Sequence, residues 1–251
     1  MINEKIFLGF PIDFQGICKI YPPTVNDVCG DPDFPVYQSV LTITQEDLED
    51  AYTEKDGITK IPTPFEYMLV NCYADKEFLQ KTIDAFKYFI HEPVAIIPEL
   101  QIVILGKLDE DIIPDEDLIE PRLITEENYF DFQNVIRLAF GSEPVKKPDP
   151  NEHWRVRQYK AKVRRGERLR AKSRSKSNLS IGTLLAAVCC MGIGINPLNI
   201  GEMSYACISW LISMNQQKES YETDIKSLLA GADRKKVKPK YWIRNLNEEK
   251  Y

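Results

Sequence analysis

The stretch "TPFEYMLVNCYADKEFLQKTIDAFKYFIHE", residues 63–92, carries the clearest structural signals in this chain of 251 residues. Thr63 can cap a helix, Pro64 suits the first helical position, and Glu66 can complete a capping box with Thr63. Further along, apolar residues recur at helical spacing, at Phe78, Leu79, Ile83, Phe86 and Ile90. The stretch therefore predicts two consecutive helices, the second of which ends at Pro93.

The residues after this stretch predict a small sheet and a third helix. The runs "VAIIP" (94–98) and "LQIVILG" (100–106) are short, apolar and β-branched, which is typical of a β-hairpin, and "RLIT" (122–125) can add a strand. Thr125 can cap a helix that ends at Gly141. The apolar stripe of that helix consists of Phe132, Val135, Ile136 and Ala139.

The first 62 residues predict mixed structure. Residues 17–21 fit a short strand that stops at two prolines. The capping pattern then occurs twice, as Thr24 with Asp27 and as Thr44 with Asp47, and each occurrence predicts the start of a helix.

Charge divides the chain into three parts. Residues 1–154 hold 30 acids and 12 bases, residues 155–176 hold one acid and 11 bases, and residues 177–251 hold 7 acids and 9 bases. A composition shift of this kind usually marks a boundary.

The combined patterns predict a fold of the α+β class that is predominantly helical. We expect an N-terminal helical domain with a small β-hairpin over residues 1–142 and a small all-helical C-terminal domain over residues 179–251. A basic linker over residues 143–178 would join them, because this span is rich in proline and then in positive charge.

The basic stretch is predicted to be a solvated helix that passes into an extended tether, since like charges repel. Its cations are Arg155, Arg157, Lys160, Lys162, Arg164, Arg165, Arg168, Arg170, Lys172, Arg174 and Lys176. Val156, Tyr159 and Val163 fit one narrow helical stripe, which Gly166 interrupts. A nucleic-acid-binding adaptor that uses residues 155–176 is an alternative function, although aromatic residues for base stacking stop at Tyr159.

Helical patterns continue to the C-terminal region. Ser180 can cap one helix, Asn199 with Glu202 can cap another, and Gly231 can end the last. The uncharged run 181–195 raises a second alternative, a membrane-associated protein, but this run is too short to cross about 30 Å of hydrocarbon comfortably.

The sequence contains no grouping that is typical of a catalytic or metal site. His91 and His153 lie in no metal-ligand spacing, and the acid-rich residues 109–117 lack the order of an EF-hand loop. The run "GIGINPLNIG" (192–201) lacks the lysine of a phosphate-binding loop. We therefore expect a protein that is not an enzyme and that uses no metal or cofactor.

Three segments carry a resemblance to a known family. They are "GICKIYPPTVNDV" (16–28), the helix, hairpin and helix between residues 63 and 140, and "SYACISWLISMNQQKESYETDIKSLLAGADRKKVKPKYWIRNL" (204–246). In this order they resemble the tail assembly chaperones, of the G and G-T type, of long-tailed phages that infect Gram-positive bacteria. In that family, a short strand precedes a Pro/Thr-led helix, and a tryptophan follows the last helix near the C-terminus.

The resemblance implies a non-enzymatic assembly factor. In the family, the N-terminal part coats the tape measure protein, the C-terminal part recruits subunits of the tail tube (the major tail protein), and a programmed ribosomal frameshift joins the parts in many relatives. The resemblance also implies action in the host cytoplasm and absence from the mature virion. We also expect that the protein associates with itself, that it binds nucleic acid at most weakly and without specificity, and that it binds no membrane.

Aromatic residues are the candidate contacts for these partners. The helix at residues 75–92 holds more aromatic residues than one core face requires, and tryptophan is enriched at interface hot spots. The candidate contacts are Phe78, Phe86, Tyr88 and Phe89 for the tape measure protein and Trp210 and Trp242 for the tail tube.

Overall fold

The computed structural model describes residues 2–52, 61–106, 122–147, 153–174, 180–233 and 236–243. Most of these residues are helical, and the strands form two small antiparallel sheets, so the predicted fold class is confirmed. The acidic run 109–117 lies outside the described residues.

The α-helices are α1 (Ile2–Phe7), α2 (Val25–Gly30), α3 (Phe34–Thr42), α4 (Gln45–Tyr52), α5 (Pro64–Ala74), α6 (Lys76–Ile90), α7 (Glu126–Ala139), α8 (Trp154–Arg174), α9 (Ile181–Cys189) and α10 (Tyr205–Leu229). The strands are β1 (Ile12–Phe14), β2 (Cys18–Ile20), β3 (Val94–Ile97), β4 (Ile102–Leu105) and β5 (Arg122–Ile124). Short 3₁₀ turns occur at Pro98–Leu100 and Ile200–Glu202.

Local hydrogen bonds start the helices where the sequence predicts them. The Glu66 N–H donates to Thr63 Oγ1 at 3.1 Å, and the Thr63 N–H donates to the Glu66 carboxylate at 2.9 Å, which completes a capping box. Thr24 forms a capping box with Asp27 in the same way. These bonds satisfy amide groups that have no partner inside the helix, and the predicted starts of α2 and α5 are confirmed.

Helix α6 lies at the centre of the main hydrophobic core and packs against α3 and α5. Its buried residues are Thr82, Ala85, Phe86, Phe89 and Ile90. The Phe86 ring stacks on Phe132 of α7 with the centroids 5.3 Å apart, and Phe89 lies edge-on to Phe140 at 5.0 Å. Aromatic pairs of this geometry add to the stabilisation that burial provides.

The larger sheet has the order β3-β4-β5, with each neighbouring pair antiparallel. Val103 of β4 is the residue that pairs with Ile96 of β3 on one side and with Ile124 of β5 on the other, and all three side chains are buried. The Arg122 guanidinium forms an ion pair with Glu92, which ties β5 to the chain that follows α6. The predicted hairpin and its added strand are therefore confirmed.

A second hairpin, β1–β2, is only half predicted by the sequence. Residues 17–21 indicate β2, and its partner β1 pairs Ile12 with Ile20 and Phe14 with Cys18. Strand β1 has three residues, too few for an alternating pattern to stand out.

The first turns of α10 pack against the N-terminal part of the chain. Trp210 is buried in one cluster with Ile6 of α1 and Ile12 of β1. The Tyr205 ring lies edge-on to Phe34, with the centroids 5.7 Å apart. These contacts join residues that are far apart in the chain and therefore make the start of α10 a part of the N-terminal core.

Backbone hydrogen bonds strengthen this junction. The Tyr205 N–H donates to the Pro23 carbonyl at 2.8 Å, and the Val25 N–H donates to the Met203 carbonyl at 2.9 Å. Consequently, the chain leaves the N-terminal core after α7 and returns to the same core before α10. The predicted boundaries at residues 142 and 179 stay a prediction.

The predicted cap of the last long helix is wrong. Asn199 does not cap α10, because residues 200–202 form a 3₁₀ turn and Ser204, in extended conformation, accepts a hydrogen bond from the Cys207 N–H at 3.2 Å. Ser180 does cap α9, as predicted. Helix α9 ends at Cys189, so the uncharged run 181–195 is not one continuous helix.

Candidate partner-binding surfaces

The described residues contain no group of three or more His, Cys, Asp and Glu side chains that could hold a metal ion. Burial raises the pKa of the Cys18 thiol to about 12 and that of Cys207 to about 11. A thiol with such a pKa is almost fully protonated near neutral pH and is a poor nucleophile.

The core contains two of the aromatic residues that the sequence analysis proposes as contacts. Phe86 and Phe89 are 0% exposed, so neither can touch a partner in this fold, and the hypothesis that they bind the tape measure protein is corrected. Phe78 and Tyr88 are half-buried and pack against the same core. The physical reason is that α6 is covered by several elements, so a single helical stripe underestimates its buried face.

The two proposed tryptophan contacts lie in different environments. Trp210 is buried, and the Phe7 ring stacks on it with the centroids 6.1 Å apart. Trp242 is half-buried beside Tyr241, whose ring lies edge-on to Tyr221 of α10 at 5.7 Å. Trp210 is therefore a core residue, and only Trp242 lies where a partner could reach it.

Exposed apolar side chains occur at both ends of α1 and in the residues just after it. We define the N-terminal patch as Ile2, Phe7, Leu8 and Phe10, all of which are exposed, with Leu8 at 63%. Because four large apolar side chains within nine residues are uncommon on a protein surface, this patch is a candidate interaction site. The sequence analysis missed it, although the run "FLGF" at residues 7–10 was a visible signal.

A groove lies between α5 and the turn that joins β3 to β4. Its volume is about 530 Å³. The residues that line this groove, the α5 groove, are Pro62, Glu66, Leu69, Val70, Tyr73, Pro98, Glu99 and Gln101. Val70 and Tyr73 are 65% and 71% exposed, so the apolar part of the lining is open to solvent. No local sequence pattern could indicate the groove, since its two walls come from separate elements.

A C-terminal arm is formed by the distal part of α10 and the residues after it. We define the C-terminal arm as residues 213–233 and 236–243. Within it no described residue is buried, and Leu229, Tyr241 and Ile243 are exposed. The basic residues Lys236, Lys238 and Lys240 follow one another closely after α10, whereas the part of the arm within α10 and up to residue 233 holds both acids and bases.

The basic stretch is helical throughout residues 154–174, and Gly166 does not interrupt α8. Arg164 reaches the acidic helix α4, where its guanidinium lies 2.8 Å from the Glu46 carboxylate and 3.5 Å from that of Glu49. The exposed cations of α8 are Arg155, Lys160, Lys162, Arg165 and Arg170. The side chains of Arg157, Arg168, Lys172 and Arg174, and the whole of Lys176, lie outside the described residues.

Among the helices that the structure describes, none is both long enough and apolar enough to cross a membrane.

Comparison with known proteins yields one family match. The family described as the YomV second domain matches residues 172–247, a region that includes α9, α10 and the whole of the C-terminal arm. No curated protein and no solved structure shows significant similarity to the chain. The C-terminal third of the chain is therefore similar to the YomV second domain, which indicates a protein of phage or prophage origin.

Proposed function

We propose that this protein is a non-enzymatic tail assembly chaperone of a phage or prophage and that it acts in the host cytoplasm. The observation that carries the proposal is the presence of exposed apolar side chains in separate groups on the two parts of the chain, the N-terminal patch and the C-terminal arm. The similarity of residues 172–247 to a phage-related family supports this assignment.

In this proposal the N-terminal patch binds the tape measure protein. Such a protein presents long amphipathic helices that aggregate until the tail tube encloses them. An exposed group of aromatic and aliphatic side chains, such as Phe7, Leu8 and Phe10, can cover the apolar face of such a helix. The N-terminal patch thus replaces the aromatic residues of α6, which are committed to the core.

The C-terminal arm then recruits subunits of the tail tube. Trp242 and Tyr241 lie together on this arm beside exposed Ile243, and tryptophan and tyrosine frequently dominate the free energy of binding at interfaces. The arm is attached through the first turns of α10, which are buried in the N-terminal core. Both surfaces therefore belong to one chain that can hold two partners at once.

The test is co-expression with a tape measure protein and a tail tube protein of the same phage or prophage. Changing Leu8 and Phe10 to serine should leave the tape measure protein in inclusion bodies. Truncation after Ile212, which keeps the buried turns of α10, should preserve soluble tape measure protein and stop tube assembly. Leu198→Ser is the matched control, because Leu198 is 94% exposed and lies on neither surface.

Two results would contradict the proposal. One is a normal yield of soluble tape measure protein with the Leu8 and Phe10 variant, provided that its circular dichroism spectrum is unchanged. The other is complete tail assembly with the chain truncated after Ile212, because the proposal assigns tube recruitment to the residues removed.

A further inference from the structure

Helix α8 packs beside α4, and Arg164 ties the two helices together. Its two terminal nitrogens lie 2.8 Å from Glu46 and 3.5 Å from Glu49 of α4. Only 20% of the Arg164 side chain is exposed, so the guanidinium is partly shielded from solvent. This contact orients α8 and determines which of its other sides faces outward.

The outward side of α8 combines apolar and basic side chains. Val156, Tyr159 and Val163 are 47%, 69% and 40% exposed. Their spacing of three and four residues places them along one side of the helix, away from the direction of Arg164. Lys162, three residues after Tyr159, is also exposed and borders this stripe.

The α5 groove complements this side of α8 in its apolar surface and in its charge. Its apolar wall contains Val70 and Tyr73, both of which are exposed to solvent. Among the described residues that line the groove, Glu66 and Glu99 are acidic and none is basic. A groove of this kind fits an amphipathic helix whose apolar stripe is bordered by Lys or Arg.

We propose that α8 of one copy of this chain docks in the α5 groove of a second copy. The apolar stripe would cover Val70 and Tyr73, and the cations beside it would face Glu99. The charge of the whole chain favours the encounter, because residues 155–176 hold one acid and 11 bases whereas residues 1–154 hold 30 acids and 12 bases. This inference is independent of the proposed function.

The geometry determines the type of assembly. The helix and the groove are different surfaces of the same chain, so the contact is heterologous, and every open assembly keeps one unoccupied helix at one end and one unoccupied groove at the other unless a ring closes. One helix in one groove is a small interface, and such interfaces are usually weak. Self-association should therefore increase steadily with protein concentration and decrease with added salt.

The first experiment measures the average mass of the full chain by sedimentation at increasing concentration. Tyr159→Ser and Glu99→Lys should each raise the apparent dissociation constant about tenfold or more, the effect of losing one contact of about 1.4 kcal/mol. Combining Glu99→Lys with Lys162→Glu in one chain should restore association, because the charges are exchanged. Glu222→Lys is the control, since Glu222 is an exposed carboxylate of α10.

The second experiment identifies the contact itself. A photoreactive phenylalanine analogue replaces Tyr159, and the protein is mixed with a ¹⁵N-labelled copy before irradiation. Peptides that join light residue 159 to heavy residues 62–101 would support the proposal. Crosslinks confined to one copy, crosslinks to another surface, or a mass that stays monomeric at every concentration would overturn it. So would association that nuclease treatment abolishes, because nucleic acid would then be the bridging partner.

Discussion

Helices α6 and α8 show two ways in which a helix is held in this protein. Helix α6 has 15 residues, of which five are buried in the main core. Helix α8 is longer, with 21 residues, yet none of its described residues is buried, and an ion pair of Arg164 ties it to α4. The comparison teaches that helix length says little about how firmly a helix is positioned, since packing rather than propensity supplies most of the stability.

Helix α10 is buried at its start, like α6, and lies at the surface further along, like α8. Ala206, Cys207, Ile208 and Trp210 are buried near its start, and none of the described residues after Trp210 is buried. The free energy that holds the C-terminal arm to the protein is therefore concentrated in the first two turns of α10. The arm itself is held at the surface, as α8 is.

The largest expected loss of stability comes from a substitution in α6, and a matched substitution in α8 should have almost no effect. Phe86→Ala should lower the free energy of unfolding by about 3–5 kcal/mol, because it removes a fully buried ring and leaves a cavity beside Phe132. Val163→Ala on α8 should change it by less than about 0.5 kcal/mol. Urea denaturation followed by circular dichroism measures both values, and similar losses for the two variants would break the comparison.

The next largest effect on stability distinguishes the buried start of α10 from the C-terminal arm. Trp210→Ala should lower the free energy of unfolding by about 3 kcal/mol, because Trp210 is buried. Trp242→Ala should lower it by less than about 1 kcal/mol, because Trp242 is partly exposed. Cys207 provides a local readout, since burial raises its pKa to about 11 and protects it from thiol reagents. Its rate of labelling should rise in Trp210→Ala and stay at the wild-type value in Trp242→Ala.

A smaller effect tests how closely α10 approaches the end of α7. Gly141 has a φ of 72°, and a Cβ there would lie 2.7 Å from the Ser209 Cβ. Gly16 has a φ of 71°, and nothing lies within 4 Å of an added Cβ. Gly16→Ala therefore measures only the loss of stability, about 1 kcal/mol, that comes from placing a non-glycine residue in the left-handed conformation. Gly141→Ala should lower the free energy of unfolding by about 2–3 kcal/mol, because the added methyl group would also overlap with Ser209. Equal losses of thermal stability would show that α10 is not packed against Gly141.

The smallest effect concerns the ion pair of α8. Arg164→Ala should lower the free energy of unfolding by less than about 1 kcal/mol, because the pair is only partly shielded. Its effect on local opening should be larger, so that limited proteolysis between residues 143 and 177 becomes faster. The matched variant Lys162→Ala should be cleaved at the wild-type rate. Equal rates for all three proteins would mean that Arg164 does not hold α8.

The residues of the candidate site could be predicted only in part. Trp242 is proposed as a contact because its residue type is common at interfaces, and the structure leaves it partly exposed. Phe86, Phe89 and Trp210 were misassigned, because an aromatic residue that suits an interface also suits a core. The N-terminal patch was visible as "FLGF" but lacked a periodic pattern, and the α5 groove had no local signal.

The sequence by itself determined the starts of α2, α5 and α9 and the hairpin of β3 and β4, because capping and turn formation act over a few residues. Only the tertiary structure decided that the first turns of α10 complete the N-terminal core and that Arg164 holds α8 to α4. Those contacts join residues that are 100 or more positions apart in the chain, as the 118 positions between Glu46 and Arg164 illustrate. Their strength depends on shape and distance in three dimensions, which no short-range pattern records.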